Sequence, residues 1–215
     1  MEKYLDYLYI IPAALIAIIC HELAHGLISY MLGDPTPKEQ GRLSLNPKKH
    51  LDIMGTLCLI FLGFGWAKPV QVNPRYYKNP KWGMALVALG GPLINFVLAF
   101  LSGFVVVVIS YYAPYIMIFD ILYIFFWYLM VINVGLGLFN LIPIPPLDGS
   151  KIIGALLPDN AYNQYMKYQR YGMFFIIGLL VLLDVLESMG YPSLLNEGLD
   201  LIITFIINVI ESIII

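Results

Sequence analysis

The sequence predicts an all-α polytopic membrane protein of about five to six transmembrane helices, with a re-entrant, strand-containing segment between the first and second full spans. Three observations predict it. Sixty per cent of the 215 residues are apolar and only twelve per cent are charged, far from the balance of a water-soluble domain. The apolar residues gather into runs long enough to cross a hydrocarbon core of ~30 Å as helix. The basic residues are concentrated in three of the connecting stretches. A formal net charge of −2 and the lack of a long basic stretch leave no footprint for nucleic acid. The length suits one membrane-embedded domain, residues 1–215. Cys20 and Cys58, both in apolar runs, offer neither a disulfide framework nor a cysteine-rich metal site.

The first span covers roughly residues 5–32. Its start sets Lys3 against Glu2 and Asp6 and no small-residue cleavage site follows, so it reads as a retained helix and not a signal peptide. Residues 51–65 are apolar too, but a helix of that length reaches only ~22 Å. Basic residues decide its placement: Lys38, Arg42, Lys48 and Lys49 precede it, and Lys68, Arg75, Lys78 and Lys81 follow. Both flanks then belong on the cytoplasmic side, and the segment dips in and returns. A short true span with one basic flank outside is the alternative. Alternation within 41–46 and 68–73 reads as two strand edges beside it. Residues 82–112 and 114–142 are full spans, and 171–189 is a weaker one. Lys151, Lys167 and Arg170 put 143–171 back on the cytoplasmic side. Residues 199–215 either span the membrane or lie along it, with Thr204, Asn208, Glu211 and Ser212 in one polar stripe.

Against this apolar background stands His21-Glu22-Leu23-Ala24-His25. On a helix the two imidazoles lie on one face within ~6 Å of rise and can share one metal ion. Glu22 sits one step round, the H-E-x-x-H arrangement in which neutral imidazoles hold zinc and the carboxylate takes a proton from an activated water. An unneutralised Glu in the hydrocarbon core costs at least ~2–3 kcal/mol, so its presence there points to function.

Topology supplies a further candidate. The first helix runs inward, which places His25 roughly 10 Å from its cytoplasmic end. The span 114–142 also runs inward, so Asn140 to Gly149 emerges at that same depth. Its prolines stop the helix, and Gly149 permits a turn directly after Asp148. Asp148 is then either the third zinc ligand or a turn residue capping a helix that starts near Ser150.

These residues resemble the site-2 proteases, a family of intramembrane zinc metalloproteases. The resemblance rests on His21 to His25, on Gly91-Pro92-Leu93-Ile94-Asn95, and on Asn140 to Gly149, with Gly41 to Pro47 and Gly65 to Val70 resembling the short prokaryotic members that lack PDZ and CBS domains. It implies one Zn2+ per chain on His21, His25 and Asp148, with Glu22 as general base. It implies a catalytic core of about residues 5–158 followed by additional helices over 159–215. It also implies transmembrane protein substrates cut within or near their membrane segments (regulated intramembrane proteolysis), a lipid bilayer around the enzyme, and a multi-pass location in a prokaryotic cell membrane with the active site toward the cytoplasm.

The tetrahedral oxyanion of such a reaction wants a donor besides the metal, and the side-chain NH2 of Asn140 or Asn95 is the candidate, against an ordinary interhelical hydrogen bond. Asn133, seven residues before Asn140, reads as such a structural bond. His50, in a basic loop, reads as a solvated surface residue, and the Gly90-Gly91 pair as a site of close helix packing. A homo-oligomer is left open. The alternatives in function are a catalytically inactive zinc-binding membrane protein that binds membrane-protein clients, or another intramembrane zinc hydrolase.

Overall fold

The computed structural model describes residues 2–52, 55 and 68–214. Its helices are α1 (Glu2–Met31), α2 (Pro80–Tyr112), α3 (Met117–Leu141), α4 (Asp148–Leu156), α5 (Asp159–Lys167), α6 (Gln169–Ser188) and α7 (Leu194–Ile214). A single helical turn at Thr36–Glu39 and 3-10 turns at Pro47–Lys49 and Pro74–Tyr76 lie between α1 and α2. Each of the last two, like α2, begins at an Asn-Pro pair. Asn46, Asn73 and Asn79 accept from the N–H two or three residues on, while the proline fills a position whose N–H has no helical partner.

Four described helices are long and apolar enough to cross a membrane: Asp6–Met31, Pro80–Tyr112, Met117–Leu141 and Gln169–Ser188. α7 is not among them; it carries Glu197, Asp200 and Glu211. The expected re-entrant segment at 51–65 lies almost wholly outside the described residues, as does Cys58. The two expected strand edges do not form strands. Residues 41–46 make a turn and bends, and 68–73 run without regular structure. Their backbone is held by side chains instead of a ladder. The Asp34 carboxylate accepts from the Ser29 hydroxyl at 2.7 Å, from Thr36 N–H at 3.0 Å and from Asn73 N–H at 2.7 Å. Ser29 is also 2.7 Å from the Tyr77 hydroxyl. Asp34 is reached through Gly33, whose φ of 101° closes α1 by turning Asp34 N–H back to Ser29 O at 3.1 Å.

α2 packs against both α1 and α3, which also pack against each other, and α4 folds back onto α2. Opposite the basic loops, the apolar core joins Ala99 and Val107 of α2, Met130 and Val134 of α3, and Ile203, Ile206 and Ile210 of α7. α7 therefore buries an isoleucine stripe, and its Thr204, Asn208 and Ser212 are exposed. Gly103 lets these helices meet: a Cβ there would stand 3.0 Å from Met130 Sδ and 3.1 Å from Ile210 Cδ1. The C-terminal end of α1, the first half of α2 and the end of α3 come together at the same end of the bundle, the end that bears the loops.

Candidate active site

The helical repeat of α1 sets His21 and His25 on one buried face, with their Nε2 atoms 3.0 Å apart. α3 stops at Leu141 ahead of Pro143, Pro145 and Pro146, and the chain re-enters a helix at Asp148. Asp148 Oδ2 then lies 3.1 Å from His21 Nε2 and 3.0 Å from His25 Nε2. Among the described residues these three side chains form one potential metal-binding group. Their other nitrogens are committed: His21 Nδ1 donates to Asn95 Oδ1 at 2.6 Å, and His25 Nδ1 donates to the Val87 carbonyl at 2.7 Å. Neutral imidazoles so pinned turn two bare Nε2 lone pairs toward a carboxylate oxygen. Three electron-rich atoms at this spacing repel one another unless a cation joins them. Tetrahedral zinc, with bonds of ~2.0–2.2 Å, sets its ligand atoms ~3.3 Å apart, and two imidazoles with one carboxylate is a donor set it accepts.

The surroundings are shaped to this group. A Cβ on Gly91 would stand 2.5 Å from His21 Cε1 and 2.6 Å from both Nε2 atoms, so the absent side chain is the room in which they meet. A Cβ on Gly90 would meet only the tip of Ile28 at close range. Gly149 is not a turn glycine: it lies in the first turn of α4 with no positive φ, and a Cβ there would collide with the Leu141 carbonyl. That close approach brings Asp148 under α1. Asp148 Oδ1 accepts from Lys151 Nζ at 3.1 Å, leaving Oδ2 for the histidines. Glu22, half-buried beside the group, accepts from the backbone N–H of Val70 at 2.8 Å through Oε2.

A family profile described as Peptidase family M50 matches residues 114–183. A Bacillus subtilis (strain 168) protein, "Putative zinc metalloprotease YwhC", is 39% identical over 210 residues, covering 94% of this chain and 95% of its own. The chain belongs to peptidase family M50. A Mycolicibacterium smegmatis relative of the M50 chain, "Putative zinc metalloprotease Rip2", is 26% identical over 183 residues, 81% of this chain and 67% of its own. "Zinc metalloprotease MJ0392" of Methanocaldococcus jannaschii is 36% identical over 83 residues, 37% of this chain and 22% of its own. No solved structure matches the chain significantly. The membership bears out the resemblance to site-2 proteases, and with it a multi-pass membrane metalloprotease and zinc as its metal.

Other residues of this M50 chain fall less simply. Asn95 donates both amide protons, to Ala17 O at 3.3 Å and to Asn133 Oδ1 at 2.7 Å, which leaves none for a reacting oxygen. Asn140 spends one on the Leu136 carbonyl at 3.0 Å. His50 is not a surface residue. It is fully buried, its Nε2 donates to Ser44 O at 2.6 Å, and its Nδ1 has no hydrogen-bond partner among the described residues. The loop wraps on itself: buried Arg42 likewise donates to the Lys49 carbonyl. Lys151 and Val70 carried no signal as partners of Asp148 and Glu22, because a lysine about one turn past a proline run and a backbone amide read as ordinary.

Proposed function

We propose that the protein is an intramembrane zinc endopeptidase of the site-2 type, hydrolysing peptide bonds within or near transmembrane segments of membrane proteins. His21, His25 and Asp148 hold the ion, which when bound polarises the scissile carbonyl and lowers the pKa of a water molecule toward ~7. Glu22 takes a proton from the attacking water and returns it to the leaving amine nitrogen as the C–N bond breaks. The Val70 N–H fixes one oxygen of Glu22 and leaves the other for that proton. Asn140 has a second amide proton beyond its bond to Leu136, and donates it to the oxyanion. Asn95 positions His21. Supporting the cytoplasmic placement of the site, Lys38, Arg42, Lys48, Lys49, Lys68, Arg75 and Lys78 lie in the connection between α1 and α2 at its end of the bundle, and Lys81 in the first turn of α2. The bilayer concerned is the prokaryotic cell membrane.

The observation that carries this reading is the convergence of the two Nε2 atoms and Asp148 Oδ2 within 3.1 Å, one residue from a carboxylate. The test is reconstitution in liposomes with a single-span substrate. The wild type is expected to hold one zinc and cut the substrate in its membrane segment. Glu22→Gln is expected to keep the zinc and lose at least ~10²-fold in cleavage rate. Zinc binding by a wild type that cuts no membrane substrate overturns the reading in favour of a client-binding protein.

A further inference from the structure

Asn133 shares no side-chain hydrogen bond with His21, His25, Asp148 or Glu22 among the described residues, yet it stands at the origin of a directional chain that ends at His21 Nδ1, across the ring from the Nε2 that faces Asp148. The chain crosses three helices. In α3, Asn133 Nδ2 donates to the Leu129 carbonyl at 2.8 Å. Asn133 Oδ1 accepts from Asn95 Nδ2 of α2 at 2.7 Å, and Asn95 Oδ1 accepts from His21 Nδ1 of α1 at 2.6 Å. Asn95 and Asn133 are both fully buried, so water does not substitute for any member.

The polarity of the chain follows from the first bond, and the longer contact of Asn95 Nδ2 with the Ala17 carbonyl at 3.3 Å favours the same orientation. A carbonyl oxygen only accepts, so Leu129 fixes which end of the Asn133 amide is NH2. That presents Oδ1 to Asn95, which must answer with its own NH2 and so presents its Oδ1 to His21. An oxygen facing Nδ1 holds the proton there, and a neutral imidazole with Nδ1–H has a bare Nε2. We propose that Asn133 is a positioning residue that, through Asn95, sets the His21 tautomer required for metal binding. The proposal rests on the reading of His21 as a zinc ligand.

Without Asn133, the Asn95 amide keeps only its long 3.3 Å bond to Ala17 O and can turn its NH2 toward Nδ1. The imidazole proton then moves to Nε2, on the lone pair the ion needs, and binding has to reverse both changes. Partners of this kind behind a metal-bound histidine contribute ~10–100-fold in affinity.

The test compares wild type, Asn133→Leu and Asn133→Asp. The aspartate, ionised or protonated, still offers an oxygen to Asn95 and so keeps the polarity; leucine does not. In metal-free protein with 15N-labelled histidine, NMR is expected to show His21 as Nδ1–H in the wild type and N133D, and as Nε2–H or a mixture in N133L. Zinc affinity by chelator competition is expected to fall ~10–100-fold in N133L and to be restored largely in N133D. An unchanged His21 tautomer in N133L overturns the proposal, as does an N133D protein that behaves like N133L; a purely structural role lowers thermal stability in N133L without moving the tautomer. If the wild type binds no zinc, the metal reading fails while the tautomer measurement still decides the relay.

Discussion

Gly91→Ala adds one methyl group where the two imidazoles converge. Its Cβ would stand 2.6 Å from both Nε2 atoms, against an ordinary contact that starts at 3.4 Å. The rings must therefore retreat by about 0.8 Å, the difference of those two distances, whereas a metal site tolerates ligand shifts of only ~0.2 Å. In metal-free protein the imidazoles relieve the clash by turning; with zinc bound they cannot, so the overpacking of ~1–3 kcal/mol falls on the bound state. That corresponds to a zinc affinity about 5- to 150-fold weaker. Gly90→Ala is the matched control, because its close contact is the end of the flexible Ile28 side chain, which can move aside. Zinc content and chelator competition on both variants, with thermal unfolding to confirm assembly, make the measurement. A G91A protein that binds zinc like the wild type, or a G90A protein equally weakened, refutes the assignment of Gly91 to the metal pocket.

Three further outcomes follow from the geometry. Asp148→Ala removes one of the three proposed ligands, and zinc per chain is expected to fall from one toward zero by metal analysis; full retention places the third ligand elsewhere. Val70→Pro removes the N–H that Glu22 accepts, and is expected to lower cleavage by at least ~10-fold while zinc content holds, so unaffected cleavage removes Val70 from the site. Asp34→Ala leaves the Thr36 and Asn73 N–H groups without their acceptor, and is expected to destabilise the fold by about 2–3 kcal/mol in thermal or denaturant unfolding. Burial pushes the Asp34 carboxyl up, but its donors outweigh this and hold it below the usual value. Its stabilisation is therefore complete above pH ~4 and lost as the pH falls further, so the wild type and D34A should converge in acid.

The metal helix was legible because two histidines four residues apart need only the helical repeat to meet. Asp148 was legible through topology: two spans running the same way deliver their ends to one depth, and the structure closes the gap to 3.0–3.1 Å. Gly91 was not, since a glycine pair announces close packing without saying which member faces a flexible aliphatic side chain and which an imidazole; one residue of helix rotates by about 100° and decides it. His50, beside Lys48 and Lys49, has the neighbours of a solvated residue, and its burial and its bond to the Ser44 carbonyl depend on a fold of the loop that residue types do not announce. Asn133 looked like a tether between helices, and it is one. Its direction becomes visible only when the acceptor behind it is known to be a backbone carbonyl. The alternation at 68–73 read as a strand, but the hydrogen bonds of Val70 and Asn73 go to carboxylates on or just after α1.

The parts of the metal group are far apart in time as well as in sequence. His21 and Asp148 are separated by 127 positions. At ~5–20 residues per second, a ribosome needs roughly 6–25 s to travel between them. Throughout that interval the nascent chain has His21, Glu22 and His25 but lacks Asp148, the third member of the group. The Asn95 clamp arrives midway, and Asp148 arrives only after α2 and α3 have been made. A chain interrupted before α4 thus has three membrane-length helices but only two of the three members of the group, and on the proposed reading the capacity to cut comes late, when Asp148 folds in beneath α1.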